Sequence, residues 1–147
     1  MQEAYVGVIT LTERLHRHFL EVVKLELDRL GIRDINAVQA LMVFNIGDAE
    51  MSVSELMLRG CYLGSNVSYT VKKVVENGYL SQERSAYDRR LSRVRLTEKG
   101  AKLHDRLQSM HERHVLMLEG TTLSSERLQA AVATLRGLET FWNGVTG

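Results

Sequence analysis

Apolar residues Val8, Leu11, Leu15, Phe19, Val22 and Leu30 recur at steps of three and four, with Leu25 or Glu26 filling the remaining place. That spacing is the period of an α-helix and predicts one long helix from about Tyr5 to Leu30, with Gly31 as its stop. Asn36 is a good N-cap for a second helix through Phe44, with Val38, Leu41, Met42 and Ile46 apolar and Gly47-Asp48 ending it. Ser52 or Ser54 caps a short helix, Val53 to Arg59, closed by Gly60. After a short glycine-bounded connector, Ser65 opens another helix, in which Val67, Val71, Val74 and Val75 form one face. Asn77-Gly78 ends it with a pair suited to the left-handed backbone conformation.

Beyond Gly78 the period changes. Tyr79 to Arg84 and Leu91 to Leu96 read as two short strands. The second alternates apolar residues with arginines, so one face packs while the other presents cations. Ser85 to Arg90 forms the polar loop of a hairpin. Thr97 then caps a helix with Gly100 near its start and a seam of Leu103, Leu107, Met110, His114 and Met117. A last helix begins at Ser124 or Ser125, with Leu128, Ala131 or Val132, Leu135, Leu138 and Trp142 on its seam. The expected fold is mainly α with a small β-hairpin wing: a winged helix-turn-helix. Its DNA-binding core covers residues 33–100, and long dimerisation helices lie at 1–32 and 101–147, in a single chain fold over residues 1–147.

Charge sharpens this picture. The chain of 147 residues has a net charge of only +1, yet its basic residues are segregated. Between Arg59 and Lys102 there are ten lysines and arginines against four acids, a surplus of six; the rest of the chain carries nine against fourteen. A basic block within a near-neutral chain is the electrostatic footprint of a polyanion-binding face. The outward side of the Ser65–Asn77 helix carries Ser65, Asn66, Ser68, Tyr69, Lys72 and Lys73, short polar groups and cations suited to bases and phosphates. At the hairpin tip Asp88 stands beside Arg89 and Arg90, where a carboxylate can fix the direction of a guanidinium. A narrow minor groove attracts such an arginine.

Three segments carry a family resemblance: Val67 to Leu80 with its Asn77-Gly78-Tyr79-Leu80 ending, Asp88-Arg89-Arg90, and Val94-Arg95-Leu96-Thr97-Glu98-Lys99-Gly100. In type and spacing they resemble the MarR family of winged helix-turn-helix regulators. The resemblance implies that Arg90 occupies the place of the wing arginine that enters the minor groove, and Asp88 that of its orienting acid. Ser68 and Tyr69 stand where the family usually has Thr-Arg facing DNA, so Tyr69 is a departure, with a phosphate or a thymine methyl as its expected contact. In the strand Ser81–Arg84 the family often has consecutive arginines; this chain keeps only Arg84.

The implied partners are a pseudo-palindromic double-stranded DNA operator and a second copy of the chain. Leu11, Leu15, Leu135, Leu138, Phe141 and Trp142 are expected to pack across the two-fold axis, since the terminal helices carry more apolar surface than the small core covers. The expected function is a transcriptional regulator, a repressor released by a small ligand, with His16, Phe19, Met42 and Tyr62 lining the ligand crevice. The alternatives are a ligand-independent regulator and a winged-helix protein-interaction module without DNA binding; the basic block argues against the second. His16, His18, His104, His111 and His114 form no convincing ligand set, so neither metal nor cofactor is expected. The single cysteine, Cys61, excludes an intramolecular disulfide; regulators of the resembled kind sometimes sense with thiols and Arg59 lies near it in sequence, but a lone cysteine in a turn is more often inert. There is no enzyme motif, no signal sequence at the start, and no apolar run near the length that spans a bilayer. A non-enzymatic cytoplasmic protein is the expectation.

Overall fold

The computed structural model describes residues 1–59, 64–83 and 92–147, with the side chains of 64 and 65 also outside the description. Among these residues the order is α1 (Gln2–Arg29), α2 (Ala37–Ile46), β1 (Met51–Ser52), α3 (Val53–Arg59), α4 (Gly64–Glu76), β2 (Leu80–Glu83), β3 (Arg93–Leu96), α5 (Glu98–Leu118) and α6 (Ser125–Thr146). The chain forms two compact units, Met1–Gln108 and Ser109–Gly147, with the boundary inside α5.

In the first unit the helix ends follow side-chain chemistry. The Asn36 side chain accepts from the Gln39 backbone N–H at 2.8 Å, and Gln39 Oε1 accepts from the Asn36 N–H at 3.0 Å, a complete capping box that fixes where α2 starts. Ser52 rather than Ser54 caps α3, its Oγ accepting from the Glu55 N–H at 3.1 Å. Thr97 opens α5, its Oγ1 accepting from the Gly100 N–H at 3.1 Å. Gly78 takes φ 87°, the left-handed conformation expected after Asn77, and so turns the chain from α4 into β2.

The core of this unit is built from Val23 and Leu27 of α1, Ala40, Met42, Val43 and Ile46 of α2, Leu56 of α3, Val67, Val71 and Val74 of α4, Leu80 and Val94 of the hairpin, and Leu103 and Leu107 of α5. The place left open between Leu25 and Glu26 goes to Glu26. Phase decides it: residue 26 lies on the face of Val23 and Leu27, so Glu26 is buried and pairs with Arg29, while Leu25 stands exposed. Further towards the N-terminus the regular stripe of α1 does not become core, since Leu11 and Leu15 are exposed.

The sheet has three strands in the order β1-β3-β2, all antiparallel. β2 and β3 form the hairpin with Leu80 opposite Leu96 and Gln82 opposite Val94. Alternation along β3 is as expected, with Val94 buried and Arg93 and Arg95 exposed. The strand β1, pairing Met51 with Val94, is an addition to the expected elements; two residues are too few to carry a period.

The second unit is the end of α5 joined to α6. Ser124 caps α6, its side chain accepting from the Arg127 N–H, and Gly120 turns the chain with φ 83°. No residue of α6 is buried. The expected α5 seam is buried at Leu103, Leu107 and Met110, half-buried at His114, and ends there, because Met117 is exposed. Val115, Leu118, Leu123, Leu128 and Val132 line an apolar groove of about 730 Å³ in this unit.

Candidate nucleic-acid interface

α4 is a helix of 13 residues whose two sides differ sharply in chemistry. Val67, Val71 and Val74 are buried, which fixes the rotation of the helix about its axis. Asn66, Ser68, Tyr69 and Lys72 are consequently exposed, and Lys73 is half-exposed. Ser65 lies in the first turn of α4, its side chain outside the described residues. The long side chains of this face interact. Lys73 Nζ sits 5.7 Å from the centre of the Tyr69 ring and 3.5 Å from the Glu76 carboxylate.

The hairpin beside α4 is described up to Glu83 and again from Ser92. Arg84, Asp88, Arg89 and Arg90 lie outside the described residues, as do Cys61 and Tyr62. The arginines on the described part of the wing are engaged. Arg95 Nε donates to Ser81 Oγ at 3.4 Å. Arg93 donates to the Glu50 carbonyl at 3.2 Å and approaches its carboxylate at 3.4 Å, so it ties β3 to the entry of β1.

A polar cluster that sequence reasoning missed anchors the far end of α4. Tyr79 donates its hydroxyl to Asp34 Oδ1 at 2.6 Å, and Lys99 Nζ reaches Asp34 Oδ2 at 2.6 Å. Lys99 also donates to the Asn77 carbonyl at 2.8 Å and lies 4.4 Å from the centre of the Tyr79 ring. Asn77 Nδ2 donates to the Asp34 carbonyl at 2.7 Å. Three segments distant in sequence, the α1–α2 loop, the end of α4 and the start of α5, thus meet at one carboxylate. Partial burial alone would raise the Asp34 carboxyl; hydrogen bonds from Lys99 and Tyr79 and the charge of Lys99 outweigh it and hold it below the usual carboxylate range. Burial, with Asp34 as acceptor and as charge, pushes the Tyr79 phenol up. Asn77 is legible as a helix stop and Thr97 as the cap of the next helix, but the meeting of Asn77, Tyr79 and Lys99 at Asp34 is a tertiary fact with no local signal.

The other expected site residues differ in exposure. Leu11, Leu15, Leu135, Phe141 and Trp142 are exposed and Leu138 is half-buried. Of the expected crevice, Met42 is part of the core at 0% exposure, because α2 turns it inward with Val43 and Ile46; it offers no surface to an open crevice. Phe19 is half-buried and His16 exposed. A groove of about 640 Å³ is lined by Leu20, Leu27, Ile32, Ile35 and Val38 together with the charged Glu21, Lys24, Asp28 and Arg33. His104 stacks on Phe44, ring centres 5.0 Å apart. Burial, then the neighbouring His114, lowers the pKa of His111. Among the described residues no three His, Cys, Asp or Glu side chains are grouped to hold a metal ion, and no helix is long and apolar enough to cross a membrane.

A short helix leading to a second helix with a polar, basic outer face, closed by an antiparallel hairpin, defines a winged helix-turn-helix DNA-binding protein. Residues 35–100 match the winged helix DNA-binding domain family. The chain is similar to the exopolysaccharide II synthesis transcriptional activator ExpG of Rhizobium meliloti (strain 1021), with 36% identity over 94% of this chain and 71% of that protein. In structure it is similar to Streptococcus pneumoniae FabT in complex with DNA, at a TM-score of 0.71 and 21% identity, over 96% of this chain and 99% of that one. It is equally similar to Staphylococcus aureus MarR in complex with salicylate and kanamycin, at a TM-score of 0.71 and 20% identity, over 97% and 92% of the two chains. The chain belongs to the MarR family of winged helix-turn-helix proteins, and it is a DNA-binding transcriptional regulator.

Proposed function

We propose that two copies of this chain bind a pseudo-palindromic duplex, each placing the outer face of α4 in the major groove and the hairpin tip against the adjacent backbone or minor groove. The observation that carries this is the two-sidedness of α4: buried valines fix its rotation, so Asn66, Ser68, Tyr69 and Lys72 must face outward together. Ser65, Asn66 and Ser68 act at the helix start on bases and phosphates, and Lys72 neutralises backbone charge. Asp88 orients Arg90 into the minor groove, with Arg89 and Arg84 on phosphates.

The dimer is supported by the exposed apolar side chains Leu11, Leu15, Leu135, Phe141 and Trp142 on the terminal helices. A partner copy covering these helices would remove that apolar surface from water. The direction of control depends on where the operator lies relative to the promoter. Repression is the expectation from sequence, and the activator ExpG shows the other outcome for a relative. A small effector would act by changing the spacing of the two α4 helices; S. aureus MarR has been seen in complex with the small molecules salicylate and kanamycin. A non-enzymatic protein working in the cytoplasm completes this reading.

The test is binding to a labelled duplex from the protein's own upstream region. Wild type should bind at low salt, and Arg90→Ala should weaken binding by about 1–3 kcal/mol. Equal affinity of the variant would overturn the wing assignment, and no binding to any duplex would overturn the whole reading.

A further inference from the structure

Tyr69 is out of character with its surroundings. It is 63% exposed on a face otherwise made of amide, hydroxyl and ammonium groups. It lies two positions from both Val67 and Val71, roughly 200° around the helix from each, and so points away from the core they enter. Its apolar ring face is therefore open to whatever lies against this side of α4.

The ring is also held. Lys73, one turn further on, places its ammonium 5.7 Å from the ring centre, and Glu76 lies 3.5 Å from the same ammonium. Glu76, Lys73 and Tyr69 form a chain of neighbours along one edge of α4, each within reach because residues three and four apart are adjacent on a helix. A cation–π contact of this kind favours one orientation of the ring while leaving most of its surface open. Helical side chains lean towards the N-terminus, so the ring projects over the turn carrying Asn66, the end of a recognition helix that meets base edges. Lys73 is then committed to Tyr69 and Glu76, and Lys72 is the lysine left for phosphate.

In the major groove, duplex DNA presents one apolar group, the 5-methyl of thymine. We propose that Tyr69 is a specificity-determining residue that packs its ring on a thymine methyl in each half-site, with Lys73 as the residue that positions it. This rests on α4 being the recognition helix, and the test separates the two claims.

Duplexes are first selected from a random pool with wild-type protein, and each thymine common to the two half-sites is then replaced by uracil, which lacks only the methyl. Uracil at one position should weaken wild-type binding about fourfold per half-site, the effect of losing one buried methyl group. Tyr69→Ala should bind the thymine and uracil duplexes equally, and Tyr69→Phe should behave as wild type. If uracil has no effect on wild type at any position, the proposal is overturned. It is also overturned if Tyr69→Phe loses as much affinity as Tyr69→Ala, because the hydroxyl would then be the contacting group. Failure of wild type to select any duplex would instead overturn the assignment of α4.

Discussion

At Gly100 a Cβ would lie 2.1 Å from the Tyr79 carbonyl oxygen and 3.3 Å from Leu96 Cδ2. The first contact is with backbone, which cannot step aside. The same carbonyl accepts from the Thr97 N–H at 3.1 Å, so α5 starts directly against the first residue after the Gly78 turn. Gly100→Ala should therefore destabilise the fold by about 1–3 kcal/mol, read as a lower urea midpoint with an unchanged slope. An unchanged midpoint would mean that α5 does not pack this closely. Thr97 and Gly100 were conspicuous in the sequence as a spacing, and Thr97 as a cap. The spacing gave no hint that the glycine is required by a carbonyl 21 residues earlier. Glu26 teaches the same lesson from the other side: helical phase buries it, although its charge made Leu25 an equal choice on sequence alone.

Among the elements, α4 depends on what holds its C-terminal end. Asp34 gathers Lys99 from α5 and Tyr79 from just beyond the turn that follows α4, and its loop carbonyl holds Asn77. The Lys99 pair is nearly half exposed on both sides, so its charge contributes little in water, and the Tyr79 hydrogen bond carries more. Asp34→Asn should lower stability at neutral pH by about 1 kcal/mol. Because the folded-state pKa of Asp34 is lowered, its contribution is present above the unfolded value and is lost as pH falls through the folded one. The gap between the urea midpoints of wild type and Asp34→Asn should then begin to narrow as pH falls below the ordinary carboxylate value, about 4. A gap that stays constant from neutral pH down through the carboxylate range would show that ionisation of Asp34 contributes nothing. The helices and the hairpin were legible because each has its own period and caps: valines at three and four along α4, alternation along β3, Asn36 with Gln39 at α2. β1 and the Asp34 cluster were not, because they exist only through partners far along the chain.

At the scale of the whole molecule, the first and last helices both carry exposed apolar residues. Leu11, Leu15, Leu135, Phe141 and Trp142 are all exposed, and α6 buries nothing. A second copy of the chain is the expected cover, and sedimentation should show a dimer at micromolar concentration. Leu135→Glu should shift that equilibrium towards monomer and weaken DNA binding with it, since one protomer holds only half of a palindromic site. A stable monomer in the wild type would remove this part of the account. The central claim is that the basic outer face of α4 binds duplex DNA, and the most direct test is the dependence of affinity on salt. With a selected duplex, log K should fall steeply and linearly with log salt, and Lys72→Ala should flatten the slope by about 2, one phosphate contact per protomer. A slope near zero, or one that Lys72→Ala leaves unchanged, would contradict the account.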